Sequence, residues 1–292
     1  MARGNNQSQS SARSEFGRGD KDKAQRALNT FSKRRDFKYF ESNDGYHALE
    51  GMDLRGIQLY GRDLSGGIFK GTDFRGSQMM AANLTGAVFE NAQLNKALLS
   101  RADISESDFT NANLSGADLK SAKLFNAFFT NANLEEANLS RASGKSVDFS
   151  KANLSSAVLQ KGDFESGDFR NSKITRAEFQ EANLTRARLN DSDLSGSNFG
   201  SAKCKNSDFA KSNLSGADFR GADLENVDFR GANLNGATLR GAKLLDVNFS
   251  GANLTGVSFD GDGDLSRTQF RNVKGLSEQA KEQIRSRGGN VR

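Results

Sequence analysis

The chain of 292 residues has few of the residues on which disulfides, metal sites and most catalytic centres depend, with one cysteine (Cys204) and one histidine (His47). A single cysteine excludes an intrachain disulfide and is typical of a reducing compartment. No segment approaches the roughly 18 consecutive apolar residues of a transmembrane helix. The N-terminal residues also lack the hydrophobic core of a signal peptide. We therefore expect a soluble, cytoplasmic protein.

What the chain does have is a five-residue period. From Leu54 to Phe259 every fifth residue is Leu, Phe, Ile or Met, and only Gly144 and Cys204 interrupt the series. We call these residues centres. The residue two places before a centre is most often Ala, and the residue between them is polar, most often Asn or Asp.

A period of five fits neither an amphipathic helix, which needs 3.6, nor a strand, which needs 2.0. Within one pentad, however, the two apolar residues are two apart and point to the same side of a short extended segment. Gly or Asn often follows the centre by two places, as at Gly116 and Gly196, and both residues tolerate the positive φ of a tight turn. The chain is therefore predicted to turn a corner every five residues and to coil into a solenoid.

A second period, of twenty residues, gives the number of sides. The centres at twenty-residue spacing from Phe69 to Phe249 are Phe in nine of ten cases, with Leu189 as the exception. Four pentads per coil would stack these residues into a phenylalanine ladder along one wall, with coils about 4.8 Å apart. The sequence thus predicts an all-β solenoid, a four-sided β-helix of about ten coils.

The pentads Ala82-Asn83-Leu84 and Ala117-Asp118-Leu119, with their frequent Gly corners, resemble those of the pentapeptide-repeat family. The resemblance covers most of the chain and implies a right-handed quadrilateral β-helix. It also implies non-enzymatic roles, because relatives include proteins that protect DNA gyrase from quinolones, secreted effectors and developmental regulators. In the gyrase-protecting relatives a C-terminal element joins two rods end to end, so a homodimer through the C-terminal end is expected on the same ground.

The ends of the chain differ from the repeat in composition and charge. Residues 1–20 are predicted to be a disordered polar tail, 21–48 a basic helical segment, 49–275 the β-helix, and 276–292 a C-terminal helix and tail. Residues 50–264 carry a net charge of −4, whereas residues 1–49 carry +4 and residues 265–292 carry +5. The basic helical segment has two interpretations, a cap over the first coil or an arm for nucleic acid, an acidic partner or a membrane surface. Its candidate basic residues are Arg26, Lys33, Arg34, Arg35 and Lys38.

At the C-terminal end the five-residue register slips by one between Asp260 and Asp264, so that Leu265 and Phe270 become the next centres. Ser277 is a suitable N-cap for a helix that runs to about Arg287. That helix is predicted to cap the last coil. Its buried side would consist of Val273, Leu276, Ala280 and Ile284.

No set of residues indicates catalysis. Cys204 stands at a centre, where a buried structural thiol is expected. No metal-ligand cluster and no phosphate-binding glycine loop appear. Carboxylates are frequent, but without a cleft to tune their pKa values they do not indicate catalysis. We predict a protein that is not an enzyme and needs no cofactor.

The outside of the phenylalanine wall is the candidate partner-binding surface. The residue before each centre there is acidic at Asp108, Asp148, Asp168, Asp208 and Asp228, with Arg188 interrupting. This column has two interpretations, a phosphate-mimicking face or the ordinary alternation of Asp with Asn at this polar position. Exposed apolar residues in the same row, a candidate contact patch, are Ile68, Val88 and Phe128. Basic residues predicted for a neighbouring wall are Arg101, Lys120, Arg141, Lys161, Arg220 and Arg240.

Two functions remain open. The first is a non-enzymatic scaffold whose flat walls bind a protein partner. The alternative is a DNA-mimicking modulator of DNA gyrase, as in quinolone-resistance relatives, with weak nucleic-acid contact through the basic tails as a lesser expectation. A separate structural expectation concerns Gly144, which should leave a packing defect where neighbours shift inward or the coil loosens.

Overall fold

The computed structural model describes residues 49–261 and 263–291. Each pentad of the repeat contributes one residue to parallel β-bridges, and its partner lies twenty positions later, from Asp53–Asp73 to Asn233–Asn253. Bridge residues stand at position 53 and every fifth position to 253, and then at 269, 274 and 290. Four pentads therefore complete one coil, and the predicted quadrilateral β-helix is confirmed.

We name the four walls by their first centres: wall A begins at Leu54, wall B at Leu59, wall C at Leu64 and wall D at Phe69. Wall D is the phenylalanine wall of the sequence. Centres and the residues two before them are buried, whereas the bridge residue between them faces outward and is mostly partly exposed. The two residues after each centre form a corner that takes the name of the wall it follows. Corner B therefore joins wall B to wall C.

Backbone hydrogen bonds repeat in every coil because every coil has the same geometry. The Leu54 amide donates to the carbonyl of Asp73 one coil later (2.8 Å), and the Asp73 amide donates back to Met52 (2.9 Å). At the corner, the Ile57 amide donates to the Leu54 carbonyl (3.2 Å) and closes the turn. Such continuous pairing makes the rod stiff and its walls flat.

The second residue of each corner has positive φ, as in Gly56 (69°) and Arg101 (60°). Glycine adopts this conformation without cost, whereas other residues pay about 1 kcal/mol for it. Between residues 81 and 191 most corners nevertheless carry larger side chains there, many of them charged.

The phenylalanine ladder lies inside wall D. Ring centroids are 4.7 Å apart between Phe89 and Phe109, 4.9 Å between Phe109 and Phe129, and 5.0 Å between Phe129 and Phe149. These spacings match the separation of neighbouring strands. The ladder is interrupted at Leu189, as the sequence indicates.

A second aromatic ladder, which the sequence analysis missed, begins inside wall B near that interruption. Phe179, Phe199 and Phe219 stack at 4.9 and 4.7 Å. Edge-to-face contacts join the two ladders, as between Phe169 and Phe179 at 6.1 Å. Wall B thus supplies rings opposite the position where wall D lacks one, and wall D resumes its own ladder at Phe209 and Phe229 (5.2 Å).

The expected packing defect at Gly144 is wrong. The ladder is undisturbed there, with the Gly144 amide 2.7 Å from the Asp163 carbonyl. A β-carbon at Gly144 would lie 3.1 Å from Cδ1 of Phe164 and 3.3 Å from Cγ1 of Val147. The ring of Phe164, one coil later on wall C, therefore fills the volume that leucine occupies elsewhere on this wall.

The C-terminal end follows the sequence prediction. Bridges Asn248–Gln269 and Asn253–Lys274 span twenty-one residues instead of twenty, which confirms the slip of one. Helix α1, Glu278–Ser286, follows, and the Ser277 side chain accepts a hydrogen bond from the Ala280 amide. The helix buries Ala280 and Ile284 over the last coil, while Val273 and Leu276 are partly buried against the core.

The N-terminal predictions, a polar tail over 1–20 and a basic cap or arm over 21–48 with Arg26, Lys33, Arg34, Arg35 and Lys38, lie outside the described residues. His47 lies outside them as well. In the described part of the chain, no helix has the length and apolar character needed to cross a bilayer.

Candidate interaction surface

The structure brings all eight candidate partner-binding residues into one straight row on the outside of wall D. Consecutive bridges connect Ile68 to Val88, Val88 to Asp108 and so on along the rod to Asn248. Each step along the row is one coil, about 4.8 Å. The row reads Ile68, Val88, Asp108, Phe128, Asp148, Asp168, Arg188, Asp208, Asp228 and Asn248.

The apolar part of this row is centred on Phe128, whose side chain is 48% exposed. Ile68 and Val88 are half-buried. Phe125, at the corner just before wall D in the same coil as Phe128, is also half-buried, and the sequence analysis did not single it out. Its signal was available, because Phe125 is the one aromatic residue at a first corner position apart from Tyr60. An exposed aromatic ring on a mostly polar wall is the type of anchor that dominates protein interfaces.

Two of the five aspartates in the row are neutralised by arginines of the rod itself. Asp168 is 7% exposed and binds Arg170 (2.8 Å) and Arg188 (2.7 Å). Burial alone would raise the pKa of Asp168, but the hydrogen bond from Arg170 and the charge of Arg188 outweigh it and hold the pKa below its ordinary value. Asp228 pairs with Arg230 at 2.5 Å. These two positions therefore present ion pairs rather than bare carboxylates.

The other three aspartates have no ion-pair partner among residues 49–261 and 263–291. Asp108, Asp148 and Asp208 each accept a hydrogen bond from the amide two residues later, at 2.8–2.9 Å. Asp148 also accepts one from the Thr130 hydroxyl at 3.0 Å. Asp108 and Asp148 flank Phe128, so the exposed ring lies between two carboxylates.

The predicted basic residues lie at corner B, between walls B and C, and not on a wall that adjoins wall D. Arg101, Arg141 and Lys161 occupy the second corner position with φ of 60°, 59° and 58°. Lys161 pairs with Glu181 at 3.5 Å. For Arg101, Lys120 and Arg141 no ion-pair partner is found within the described ranges. The remaining basic residues of this corner are Arg220, which pairs with Asp218, and Arg240.

The described residues contain no group of three or more His, Cys, Asp or Glu side chains that could hold a metal ion. Cys204 is fully buried at its centre position, and burial together with the charge of Asp223 raises the pKa of its thiol. A buried protonated thiol is inert toward electrophiles.

This burial gives a direct prediction. Cys204 should remain unmodified by a thiol reagent in the native protein and should react fully once the chain is unfolded in denaturant, because only the exposed thiolate is nucleophilic. Mass spectrometry of the alkylated protein across a denaturant series measures the modified fraction. Rapid stoichiometric labelling without denaturant would contradict the buried position.

Two family models match the repeat. One, described as "Pentapeptide repeat region", matches residues 117–199, 163–239 and 182–259. The other, described as "Pentapeptide repeats (8 copies)", matches residues 82–120. Together they span residues 82–259, which is more than half of the chain. No curated protein matches the chain significantly.

Solved structures with the same type of repeat are also similar. HetL, a pentapeptide repeat protein involved in heterocyst differentiation regulation from the cyanobacterium Nostoc sp. strain PCC 7120, is 27% identical. The match covers 77% of this chain and 89% of HetL, with a TM-score of 0.28. Full-length QnrB1, a plasmid-mediated fluoroquinolone resistance protein, is 16% identical over 82% of this chain and 95% of its own, with a TM-score of 0.36. Because these TM-scores are low, the evidence for the coil geometry is the hydrogen-bond pattern of this chain itself.

Proposed function

The chain belongs to the pentapeptide-repeat family of right-handed quadrilateral β-helices, and from this premise we propose that it is a non-enzymatic scaffold that presents wall D to a protein partner. The observation that carries the proposal is the position of Phe128, an exposed ring held between the unpaired carboxylates of Asp108 and Asp148. Elsewhere on the four walls the bridge positions are mostly Asn, Asp, Gln, Lys or Ser.

The physical basis is preorganisation. The backbone of Phe128 is fixed by two hydrogen bonds to the preceding coil, since its amide donates to the Ser107 carbonyl (2.9 Å) and its carbonyl accepts from the Phe109 amide (2.7 Å). Its neighbours Ala127 and Phe129 bond to Asp148 in the next coil (2.9 and 2.7 Å). An aromatic side chain on a rigid backbone loses little conformational entropy when a partner covers it. The flanking carboxylates would select a partner with basic groups beside an apolar pocket.

The alternative is a DNA-mimicking modulator of DNA gyrase. The observation in its favour is the straight acidic column on wall D. Against it, Asp168 and Asp228 are already paired with arginines, and Arg188 interrupts the column. The remaining carboxylates of Asp108, Asp148 and Asp208 are about two and three coils apart, wider than the spacing of phosphates along one DNA strand. We therefore favour the protein scaffold over the DNA-mimicking function.

Three further elements of the proposal concern the ends of the rod and the location of the protein. Helix α1 presents polar residues outward, namely Glu278, Gln279, Glu282 and Arg285. A homodimer through this end would therefore rely on hydrogen bonds and ion pairs rather than apolar burial. The basic ends are proposed to make weak nucleic-acid contacts that fall steeply with salt. The single buried cysteine supports a cytoplasmic location.

The scaffold proposal is tested by affinity capture from an extract of the source cells. We expect the triple variant Ile68→Asn/Val88→Asn/Phe128→Asn to lose at least tenfold of the captured partner, because Asn already occupies many bridge positions and the fold should be retained. The matched control is Leu98→Asn/Val158→Asn, which removes apolar bridge residues from wall B. Equal capture by the wild type and the wall D variant, or equal loss in the control, would contradict the proposal.

The gyrase alternative is tested in a supercoiling assay with the purified chain, with and without a quinolone, beside the Asp108→Asn/Asp148→Asn/Asp208→Asn variant. The scaffold proposal predicts no effect of either protein. Inhibition or drug protection by the wild type that is lost in this variant would replace it with the DNA-mimic function.

A further inference from the structure

Corner B and wall D carry rows of side chains that follow the same coils on distant sides of the rod. The corner B row takes one residue per coil from the two corner positions. It reads Tyr60, Met80, Arg101, Lys120, Arg141, Lys161, Glu181, Ser201 and Arg220. The wall D row from Ile68 to Asp228 is its counterpart, because each wall D residue lies in the same coil as one corner B residue.

The two rows are complementary coil by coil. In the first two coils Tyr60 and Met80 are at the height of Ile68 and Val88, so that apolar residues are level with apolar residues. The side chain of Tyr60 is 68% exposed. An apolar patch of this kind is a feature of contact sites.

Charges continue the match in the following coils. Arg101 is level with Asp108, and Arg141 is level with Asp148. None of these four side chains has an ion-pair partner within the described part of the chain, so all are available to a partner. Further along, Lys161 with Asp168 and Arg220 with Asp228 also have opposite signs, but each of these side chains already forms an ion pair within its own rod. The match between copies therefore rests on the four unpaired side chains.

Even the one change of sign is matched. In the seventh coil corner B carries Glu181 and wall D carries Arg188, although within the rod Glu181 already pairs with Lys161 and Arg188 with Asp168. Between the two unpaired arginines, Lys120 is level with Phe128, and an ammonium group over an exposed aromatic ring is a favourable contact.

From these observations we infer that the rod associates with a second copy of itself, side by side, parallel and in register, with corner B of one copy against wall D of the next. This inference rests on the proposed function, because it names one protein partner for wall D. Successive residues in both rows are separated by one coil, about 4.8 Å. The charges of two copies therefore stay opposite each other along the whole contact. A strip of six coils, from Tyr60 and Ile68 to Lys161 and Asp168, is about 29 Å long.

The charge pattern also fixes the register. A shift of one coil in either direction sets Arg101 against Val88 or Phe128, and it sets Arg141 against Phe128 or against Asp168, which is already paired with arginines of its own rod. Both contacts between unpaired opposite charges are then lost. Because the two surfaces differ, the contact is heterologous, and a pair of rods retains one free corner B on one copy and one free wall D on the other. The assembly can therefore grow beyond a dimer.

The test is sedimentation velocity of the full chain over a concentration series at low and high salt. Wild type should form species larger than a dimer at low salt, and these should dissociate at ~0.5 M salt, where exposed ion pairs are screened. Two variants each remove one surface: Arg101→Ser/Arg141→Ser at corner B, and Asp108→Asn/Asp148→Asn at wall D. Ser and Asn already occur at equivalent positions, such as Ser121 (φ 57°) and Asn138.

Each variant alone should stay monomeric, with an association constant at least tenfold below that of the wild type. An equimolar mixture should give a 1:1 complex and nothing larger, because only one intact pair of surfaces remains. The matched control, Lys96→Ser/Arg176→Ser, removes two cations from the same backbone position on corner A, between walls A and B, and should behave as wild type.

A wild-type chain that remains monomeric, or an association that neither variant alters, would overturn the inference. A dimer that resists salt and both variants would instead indicate contact through an end of the rod. If self-association fails while capture of another protein still depends on Phe128, the scaffold proposal stands and only the identity of the partner changes.

Discussion

Replacing Gly144 by leucine is expected to destabilise the rod by about 3 kcal/mol, although leucine is the usual residue at this position of wall C. The β-carbon alone would lie 3.1 Å from Cδ1 of Phe164, 3.3 Å from Cγ1 of Val147 and 3.4 Å from Cβ of Leu124. The rest of the side chain would have to occupy the volume of the Phe164 ring. Overpacking of this kind forces side chains off their rotamers or separates the coils.

The same contact predicts a rescue. Phe164→Leu alone should cost about 1–2 kcal/mol, because it leaves part of the ring volume empty. Combined with Gly144→Leu it removes the clash, and the double variant should be more stable than the sum of the single effects by about 2 kcal/mol. A further Gly162→Ala change then becomes tolerable, since a β-carbon there meets Cε2 of Phe164 at 2.4 Å in the native chain.

Denaturant unfolding of the wild type, the two single variants and the double variant measures the coupling. Because coils contact only their neighbours, hydrogen exchange should be followed as well, and the loss of protection in Gly144→Leu should centre on the coils around residues 124–164. Additive effects of the two substitutions would show that the ring of Phe164 does not fill the space beside Gly144.

The error over Gly144 shows what a one-dimensional pattern misses. The five-residue period predicts the coil, and the twenty-residue period predicts four walls, because each wall selects its own inward residues. The prediction of a packing defect considered Gly144 by itself. In the folded rod, however, the side chain at each centre packs against the centre one coil later, twenty residues along the chain. Phe164 is the one phenylalanine among the wall C centres and follows Gly144 by twenty. The compensation could therefore have been found in the sequence.

For the candidate surface, the sequence predicts the positions of the residues but not all of their ion pairs. The row on wall D follows from the period, so the positions of Asp108 and Phe128 were correct. The ion pairs of Asp168 with Arg170 and of Asp228 with Arg230 were missed because these two arginines stand at the next corner, two residues later, and not in the column itself. The triplet Asp-Phe-Arg was its signal. The identity of a partner does not follow from any period, because it depends on a surface outside the chain.

Replacing Ile284 by aspartate is expected to release helix α1 and open the C-terminal end of the rod. Ile284 is fully buried, and Gly289 lies so close that a β-carbon there would meet its Cγ2 at 2.4 Å. Truncation of a buried isoleucine alone costs about 2–5 kcal/mol. A carboxylate in the same place would in addition have to be buried without a partner or protonated.

The polar contacts of α1 would be lost with it. The side chain of Arg287 donates to the carbonyls of Phe259 (2.7 Å) and Gly263 (2.6 Å), and Gln283 bonds the Asp260 carboxylate (2.5 Å). Undocking therefore exposes both the apolar interior and the unpaired backbone groups of the last coil. An open strand edge of this kind promotes aggregation.

The spatial extent of the effect distinguishes a cap from a global determinant of stability. In a rod where each coil contacts only its neighbours, loss of the cap should fray the final coils and leave distant ones intact. Hydrogen exchange in Ile284→Asp should lose protection from about Phe249 onward, while amides near Leu94 and Leu114 keep theirs. Glu282→Ala, on the exposed side of the same helix, is the control and should leave the pattern unchanged. Uniform loss of protection along the whole rod would mean that the coils unfold as one cooperative unit and that α1 stabilises all of them.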